Sequence, residues 1–219
     1  MNFGFTIKVL LLLIMDDSFR TKKSTISHLE PNTRQKLLET ATDLFAEKGY
    51  TGTSVREIVA RAGVSKPVMY YYFQSKEGLF YAILEWAANV QQEILNEIFE
   101  ASGSVLDRFI FLYHRLYEGI QQYQSLYKMI HSLIYGPPQG APDYDYASYQ
   151  RHMLDAVKRI YAQGLASGEI RKADAKEVAF LVLSLLDFSL NMDKVQPDQA
   201  DPQRPERLLR LAFQGLTVS

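Results

Sequence analysis

The sequence predicts an all-α protein in which a small N-terminal three-helix domain is joined by a long helix to a larger helical domain. Three observations support this class. Apolar residues recur at three- and four-residue spacing, capping residues and glycines separate these stretches, and no run is convincing as a strand. We expect a flexible leader and basic arm at 1–30, a helix-turn-helix domain at 31–80 and a helical domain at 81–219.

Two helices open the small domain. The first starts at about residue 33 and closes at Gly49, which is suited to a C-cap. The second is short. Thr53 or Ser54 is a good N-cap, Glu57 stands three residues after Ser54 in the capping-box position, and the apolar face ends near Ala62.

A tight turn and a third helix follow. Gly63 provides the turn, Ser65 the next N-cap, and Pro67 occupies an early helical position, where its missing N–H costs nothing. The helix is expected to run through Tyr72. Two short helices joined by a glycine turn form a helix-turn-helix motif, whose second helix enters the major groove, so Val64–Phe73 is the segment expected to touch bases.

The remainder of the chain also has helical periodicity. Ser75 caps a long helix that leaves the small domain and continues to about Glu100. Gly103, the loop at 136–142 and the segment 196–203 separate later helices. These helices are expected near 104–122, 125–135, 144–167, 174–193 and 204–216.

Charge and cysteine content limit the classes of function. Residues 1–80 carry 11 Lys and Arg against 8 Asp and Glu, whereas residues 81–219 carry 13 against 17. A weakly basic head on an acidic body has the sign expected of a nucleic-acid-binding protein. The absence of cysteine excludes disulfides, thiolate zinc sites and a cysteine nucleophile, and it is compatible with the cytoplasm, where we expect the protein.

One short apolar stretch lies near the N-terminus. Val9–Met15 has seven residues, too few to span a bilayer, and Asp16 and Asp17 follow it in place of a small-residue cleavage site. We interpret it as a disordered leader or as the product of a start codon assigned too early, with Met15 the true initiator. No association with membranes is expected.

The third helix has side chains suited to DNA. Lys66 can reach a phosphate or a guanine edge, Pro67 and Val68 can contact a thymine methyl, and tyrosine hydroxyls can hold phosphates. The three consecutive tyrosines at 70–72 cannot all face one core. At least one of them is therefore expected to be exposed.

Three segments of this domain resemble the N-terminal signature of TetR-family regulators: Thr53–Ile58, Ala62–Lys66 and Tyr70–Phe80. The similarity is specific because spacing, caps, turn and aromatic run agree over more than forty positions. Pro67 stands where many members have Gly, and Tyr71 where many have His or Trp. Base preference therefore cannot be transferred from the family.

The resemblance implies a DNA surface on the second and third helices and at the start of the fourth. Base reading is expected at Lys66, Pro67, Val68 and Tyr71, and Lys76 is expected to bind phosphate. The full set of expected contacts is Ser54, Arg56, Ser65, Lys66, Pro67, Val68, Tyr70, Tyr71, Tyr72 and Lys76.

Other roles stay open for several of these residues. Tyr72 could equally pack in the core, as Phe73 is expected to do. Lys66 and Lys76 could be merely solvated, and Arg56 could pair with Glu57 or another surface acid.

Two later helices are more apolar than an internal core requires. The segment 180–186 is apolar around nearly its whole circumference, and Pro205–Leu216 is similarly rich in leucine. Two such helices from each of two copies would form a four-helix dimer interface, as the resemblance also implies. A twofold homodimer would bind double-stranded DNA at an approximate palindrome.

The aromatic residues of the larger domain admit two interpretations, core packing or a pocket for a small, largely apolar effector. The candidate effector-binding residues are Phe109, Tyr113, Tyr117, Met129, Leu133 and Phe188. No cofactor is expected. The histidines at 114, 131 and 152 lack metal-ligand spacing, and no phosphate-binding loop or nucleophile elbow is present. Asp187 and Asp193 are unusual in an apolar helix.

The leading hypothesis is a dimeric repressor that leaves its operator when an effector enters the larger domain. The alternative is a DNA-bound adaptor that binds another protein, which would have a filled core and a large exposed apolar patch. An enzyme is disfavoured because no catalytic constellation is visible.

Overall fold

Helices and their connecting loops make up the part of the protein that the computed structural model describes, residues 32–195, 198 and 201–214, and no β-strand occurs in that part. The predicted all-α class is confirmed. The leader and basic arm at 1–30, with its Val9–Met15 stretch, and the end of the last expected helix lie outside the described residues. The helices are α1 Thr33–Lys48, α2 Val55–Ala62, α3 Lys66–Phe73, α4 Lys76–Glu100, α5 Val105–Gln122, α6 Gln124–Tyr135, α7 Tyr146–Ala166, α8 Ala175–Val195 and α9 Arg204–Phe213.

The start of α2 shows which of two candidates is the cap. Ser54 is the N-cap: its hydroxyl accepts a hydrogen bond from the Glu57 N–H at 3.2 Å, and its own N–H donates to the Glu57 carboxylate at 2.9 Å. The predicted capping box is therefore confirmed. Thr53 is buried instead, and its hydroxyl donates toward the Gly49 and Leu44 carbonyls at 2.9 and 3.1 Å. It ties the end of α1 to the start of α2.

The first hydrophobic core, called the head core here, lies among α1 to α4. Leu37 and Phe45 of α1, Met69 and Phe73 of α3, and Phe80 of α4 are all buried in it. Phe73 therefore packs inward, as predicted. Side chains from α1, α2, α3 and the start of α4 are buried together, and their burial stabilises a domain that none of these helices could form alone.

The head core does not end with the small domain. Leu126 and Met129 of α6 are buried in it, and Leu133 packs against it. The boundary expected near residue 80 falls within α4, which runs without interruption to Glu100.

The second core, the body core, is formed by α5, α7, α8, α9 and the later half of α4. Phe109 and Tyr113 of α5 are fully buried, and Phe109 contacts Phe213 of α9 with ring centroids 5.5 Å apart. Ile94 and Ile98 extend the core into α4. Among the helices described, none is long and apolar enough to cross a membrane.

Candidate nucleic-acid interface and effector cavity

The turn between α2 and α3 fixes the orientation of the third helix. Gly63 has φ +67°, the left-handed conformation that glycine adopts without a steric penalty. Its N–H donates to the Ala60 carbonyl at 3.2 Å, and the Val64 N–H donates to the Val59 carbonyl at 3.0 Å. The chain therefore leaves α2 and enters α3 within a few residues, which is the helix-turn-helix arrangement.

The third helix has one buried and one exposed side. Met69 and Phe73 point into the head core, while Lys66, Pro67 and the tyrosines at 70 and 71 are exposed. Tyr71 is 63% exposed and Tyr70 45%, unusually high values for large aromatic side chains. The expectation that at least one of the three tyrosines is exposed is confirmed.

Tyr72 and Val68 lie at the border between these two sides. Tyr72 is half-buried and packs against the head core, with its ring centroid 5.2 Å from that of Tyr71 and 6.1 Å from that of Phe73. Val68 is half-buried as well. Both therefore contribute to packing, which leaves only their outer edges for DNA.

Cations on this side of the head differ in whether they have partners. Lys48 pairs with Glu57 at 2.8 Å, and Arg61 pairs with Glu47 at 2.8 Å. Arg56 and Lys66 are exposed and form no ion pair or hydrogen bond within the described ranges. The pairing of Arg56 with Glu57 considered from the sequence does not occur. Arg56 and Lys66 thus keep their charge for an anionic partner, flanking the turn from both helices.

The two serine hydroxyl groups around the turn also differ in whether they make a capping hydrogen bond. Ser54 is exposed, but its hydroxyl is engaged with Glu57 in the capping box. Ser65 occupies the N-cap position of α3, and its side chain makes no capping hydrogen bond. Its hydroxyl can therefore bind a phosphate oxygen without giving up an internal partner.

The acids of this region are held in their ionised form. The hydrogen bond from Lys48, followed by those from Ser54, lowers the pKa of Glu57 to about 2. The hydrogen bond from Arg61 lowers the pKa of Glu47. Neutralising Glu57 and Glu47 with Lys48 and Arg61 reduces the negative potential beside the exposed cations.

Lys76 has a different environment from that expected of a phosphate ligand. Its ammonium donates to the Tyr50 and Thr53 carbonyls at 3.0 and 3.1 Å and lies 3.9 Å from the Tyr50 ring centroid. Burial lowers its pKa. Two of the three ammonium N–H groups therefore hold the start of α4 to the α1–α2 connection. The phosphate contact stays a prediction, with one N–H left to make it.

A cavity of about 410 Å³ lies in the body, bounded by α4, α5, α6, α7 and α8. Most of its lining is aliphatic, and a smaller number of polar and aromatic side chains, most of them from α6, α7 and α8, complete it. This combination suits a small, largely apolar ligand. The aliphatic lining includes Val90, Ile94, Leu116, Ile120, Ile130, Met153 and Leu183.

Comparison with known proteins places the head in a family. Residues 37–83 match the model of bacterial regulatory proteins of the tetR family, a segment that contains α2, α3 and the intervening turn. The head is of the TetR-family type.

Relatives of this chain are named as regulators. It is 34% identical over 89 residues to the HTH-type transcriptional repressor NemR of Escherichia coli (strain K12), a match that covers 40% of this chain and 45% of NemR. The chain therefore aligns with less than half the length of that relative. That relative is named as a transcription regulator.

Solved structures of the family share the fold beyond the head. The TetR transcriptional regulator from Chloroflexus aurantiacus J-10-FL matches with a TM-score of 0.68 at 21% identity, covering 86% of this chain and 98% of that one. The SmeT–triclosan complex matches with a TM-score of 0.65 at 21% identity, covering 85% and 92%. Similarity at this level of identity shows the fold alone.

None of the six effector residues expected from the sequence lines this cavity. On α5, Phe109 and Tyr113 are buried in the body core and Tyr117 packs against it. On α6, Met129 and Leu133 face the head core. The remaining residue, Phe188 of α8, is 65% exposed. Both α5 and α6 have two apolar faces, and periodicity alone does not show which face meets a cavity.

One spacing signal could have located the cavity side of α6. Tyr127, His131 and Tyr135 recur every four residues, so one helix face is lined by rings, and all three line the cavity. Asp187, noted as unusual in the sequence, lines the cavity too. The side chain of Asp193 lies outside the described part.

Proposed function

We propose that this TetR-family regulator is a homodimeric repressor whose affinity for a palindromic operator falls when a small, largely apolar molecule enters the cavity. The observation that carries the proposal is the position of α6 between the cavity and the head core. Tyr127, Ile130 and His131 line the cavity, and Leu126 lines it and is buried in the head core together with Met129. A ligand that moves α6 must therefore repack the head.

For the DNA contact, the exposed side of α3 supplies the required chemistry. Lys66, Pro67 and Tyr71 would reach base edges, with Val68 contributing its outer methyl group. The groups around them would hold the backbone phosphates of both strands. These groups are Ser54, Arg56, Ser65, Tyr70, the outer edge of Tyr72 and the remaining N–H of Lys76.

For the dimer, α8 and α9 expose apolar side chains that the body core leaves uncovered. Phe180 is 57%, Leu181 40% and Phe188 65% exposed on α8, and Leu211 is 64% exposed on α9. Such a patch on a protein of this size is typical of an interaction surface. A twofold copy would cover these helices and place two α3 helices on one face of the duplex.

For the effector, the coupling runs through shared helices. Ile83 and Leu84 of α4 are buried in the head core, while Val90 and Ile94 of the same helix line the cavity. A ligand shifts the DNA-binding equilibrium only by its differential affinity for two arrangements of these helices. The NemR relative is named as a repressor, and the SmeT structure holds triclosan, which supports both parts of the proposal.

The adaptor hypothesis required a body core filled by side chains, and the cavity argues against it. The proposal is tested by fluorescence anisotropy with a duplex selected for binding, titrated with small molecules that calorimetry shows to bind the protein. We expect at least one cavity ligand to raise the Kd for the duplex tenfold or more. Cavity ligands that bind without changing the Kd for DNA would contradict effector release.

A further inference from the structure

The charge content of the cavity is unusual for so apolar a site. Asp187 is the one carboxylate among the described residues that line it, and no lysine or arginine lines it. Asp187 is exposed at the α8 side, and its carboxylate has no ion pair or hydrogen bond within the described ranges. An anionic ligand would meet this carboxylate with no fixed cation to offset it.

A row of rings on α6, which we call the aromatic shelf, lines another part of the same cavity. It consists of Tyr127, His131 and Tyr135. The ring centroids of Tyr127 and His131 are 5.8 Å apart with an interplanar angle of 33°, and those of His131 and Tyr135 are 4.8 Å apart at 50°. Tyr135 is 61% exposed, so the far end of the shelf is accessible.

Hydrogen bonds connect the shelf to the backbone of α8 at Asp187. The Tyr127 hydroxyl donates to the Asn191 amide oxygen at 3.1 Å, and the Asn191 amide N–H donates to the Asp187 carbonyl at 2.9 Å. Asp187 and Asn191 are four residues apart on α8 and so lie one turn apart on the same side of the helix. The shelf and the segment of α8 that carries Asp187 are therefore adjacent in the cavity lining.

We propose that the cavity takes an aromatic cation, a flat ring system that lies on the shelf with its positive nitrogen directed to Asp187. The negative faces of tyrosine rings attract a cation, and the carboxylate gives it a counter-charge. The aliphatic walls cover the apolar part of the ligand. This assignment rests on the proposed function, because it names the ligand class of the same cavity.

The test uses three probes of matched size: N-methylquinolinium as the cation, 1-methylnaphthalene as the neutral isostere and 1-naphthoate as the anion. Affinities are measured by isothermal titration calorimetry on the full chain. We expect Asp187→Asn to lower the affinity for N-methylquinolinium about tenfold while changing the affinity for 1-methylnaphthalene less than twofold. Glu177→Gln, which alters another exposed acid of α8 that does not line the cavity, should change neither.

A second variant tests the shelf independently of the charge. Tyr135→Leu should lower the affinity for N-methylquinolinium more than the affinity for 1-methylnaphthalene, because only the cation is attracted electrostatically to the face of the tyrosine ring. Thermal melting of each variant checks that it is folded.

The outcomes separate this inference from the proposed function. Suppose that 1-methylnaphthalene binds and releases the protein from DNA, while the affinity for N-methylquinolinium is the same in both variants as in the wild type. The ligand class is then wrong, and release from DNA by an effector stands. Tighter binding of 1-naphthoate than of the cation also overturns the assignment. A loss of dimer on Asp187→Asn with unchanged probe affinities would assign the carboxylate to the subunit interface. If no probe binds, neither the ligand class nor the cavity as an effector site survives.

Discussion

Lys66 projects from the first turn of α3 with no ion pair to any described residue, so its charge is available to DNA. We predict that Lys66→Ala weakens binding to the selected duplex and lowers the slope of log Kd against log salt concentration by about one unit. Lys172→Ala, which removes an exposed lysine between α7 and α8, is the matched control and should leave affinity and slope unchanged. A wild-type slope together with unchanged affinity and base preference in Lys66→Ala would mean that this lysine is only solvated.

Lys76 should behave differently because its ammonium holds the Tyr50 and Thr53 carbonyls. Lys76→Met leaves both acceptors without this donor, so we expect a loss of about 1–3 kcal/mol in the free energy of unfolding, measured by urea titration. A lowered salt slope with unchanged stability would instead assign Lys76 to a phosphate.

Glu57 gives the head a specific pH dependence. Its pKa is about 2 in the folded protein against an ordinary value of 4.5, because Lys48 and Ser54 hydrogen-bond to the ionised form. A carboxyl group whose pKa is lowered by folding stabilises the fold at any pH above its pKa in the unfolded chain. That stabilisation is lost as the pH falls from about 4.5 toward 2. We predict that the difference in Tm between wild type and Glu57→Gln shrinks across this interval. A difference that is constant with pH would contradict the assignment, and Lys48→Met should reduce the dependence in the same way.

Single residues show what could be predicted from the sequence and what could not. The Ser54–Glu57 box and the Gly63 turn follow from local spacing, because their partners lie within a few residues. Contacts between residues that are distant in the sequence do not follow from local spacing. Lys48 meets Glu57, and Lys76 meets carbonyls more than twenty residues earlier, only after the helices pack. Thus Lys76 had the features of a phosphate ligand in the sequence and has internal partners in the structure.

At the scale of elements, the connection between α6 and α7 contacts the head. A Cβ atom placed on Gly140 would lie 2.7 Å from the Thr51 methyl group, and Tyr81 of α4 donates from its hydroxyl to the Asp143 carbonyl at 3.2 Å. The chain that leaves the cavity wall at Tyr135 therefore passes against the α1–α2 connection. It provides a second route, besides α6 itself, from the cavity to the head.

Two glycines allow a controlled test of that route. Gly140 and Gly168 both have positive φ, +61° and +74°, so alanine at either position costs roughly 1–2 kcal/mol of backbone strain. A Cβ on Gly168 has no neighbour within 4 Å, whereas one on Gly140 meets Thr51. We expect Gly140→Ala to reduce DNA affinity in anisotropy titrations more than Gly168→Ala does. Adding Thr51→Ala should restore the affinity of Gly140→Ala, and equal effects of the two glycine variants would argue against the route.

Helix positions were predictable, but the roles of helix faces were not. Caps and breaks gave the bounds of α1 to α8 to within a few residues, because those signals are local. The faces of α6 required the tertiary structure. Met129 and His131 stand two residues apart, and one lies in the head core while the other lines the cavity. Apolar periodicity marks both faces as buried without identifying which neighbour covers each.

At the scale of the whole molecule, the proposed regulator acts as two copies. The exposed apolar side chains of α8 and α9, represented by Phe188 and Leu211, have no cover within the described chain. A twofold arrangement would cover them and set two α3 helices about one DNA turn apart, roughly 10 base pairs. DNA binding and dimerisation would then depend on each other.

The most direct test of this account is selection of bound sequences from a random duplex pool by the full-length protein. We predict enrichment of an approximate inverted repeat whose half-sites lie about one helical turn apart, and loss of that enrichment with Lys66→Ala combined with Tyr71→Ala. Recovery of isolated half-sites, or no enrichment at all, would contradict the proposal that a twofold dimer binds a palindromic operator.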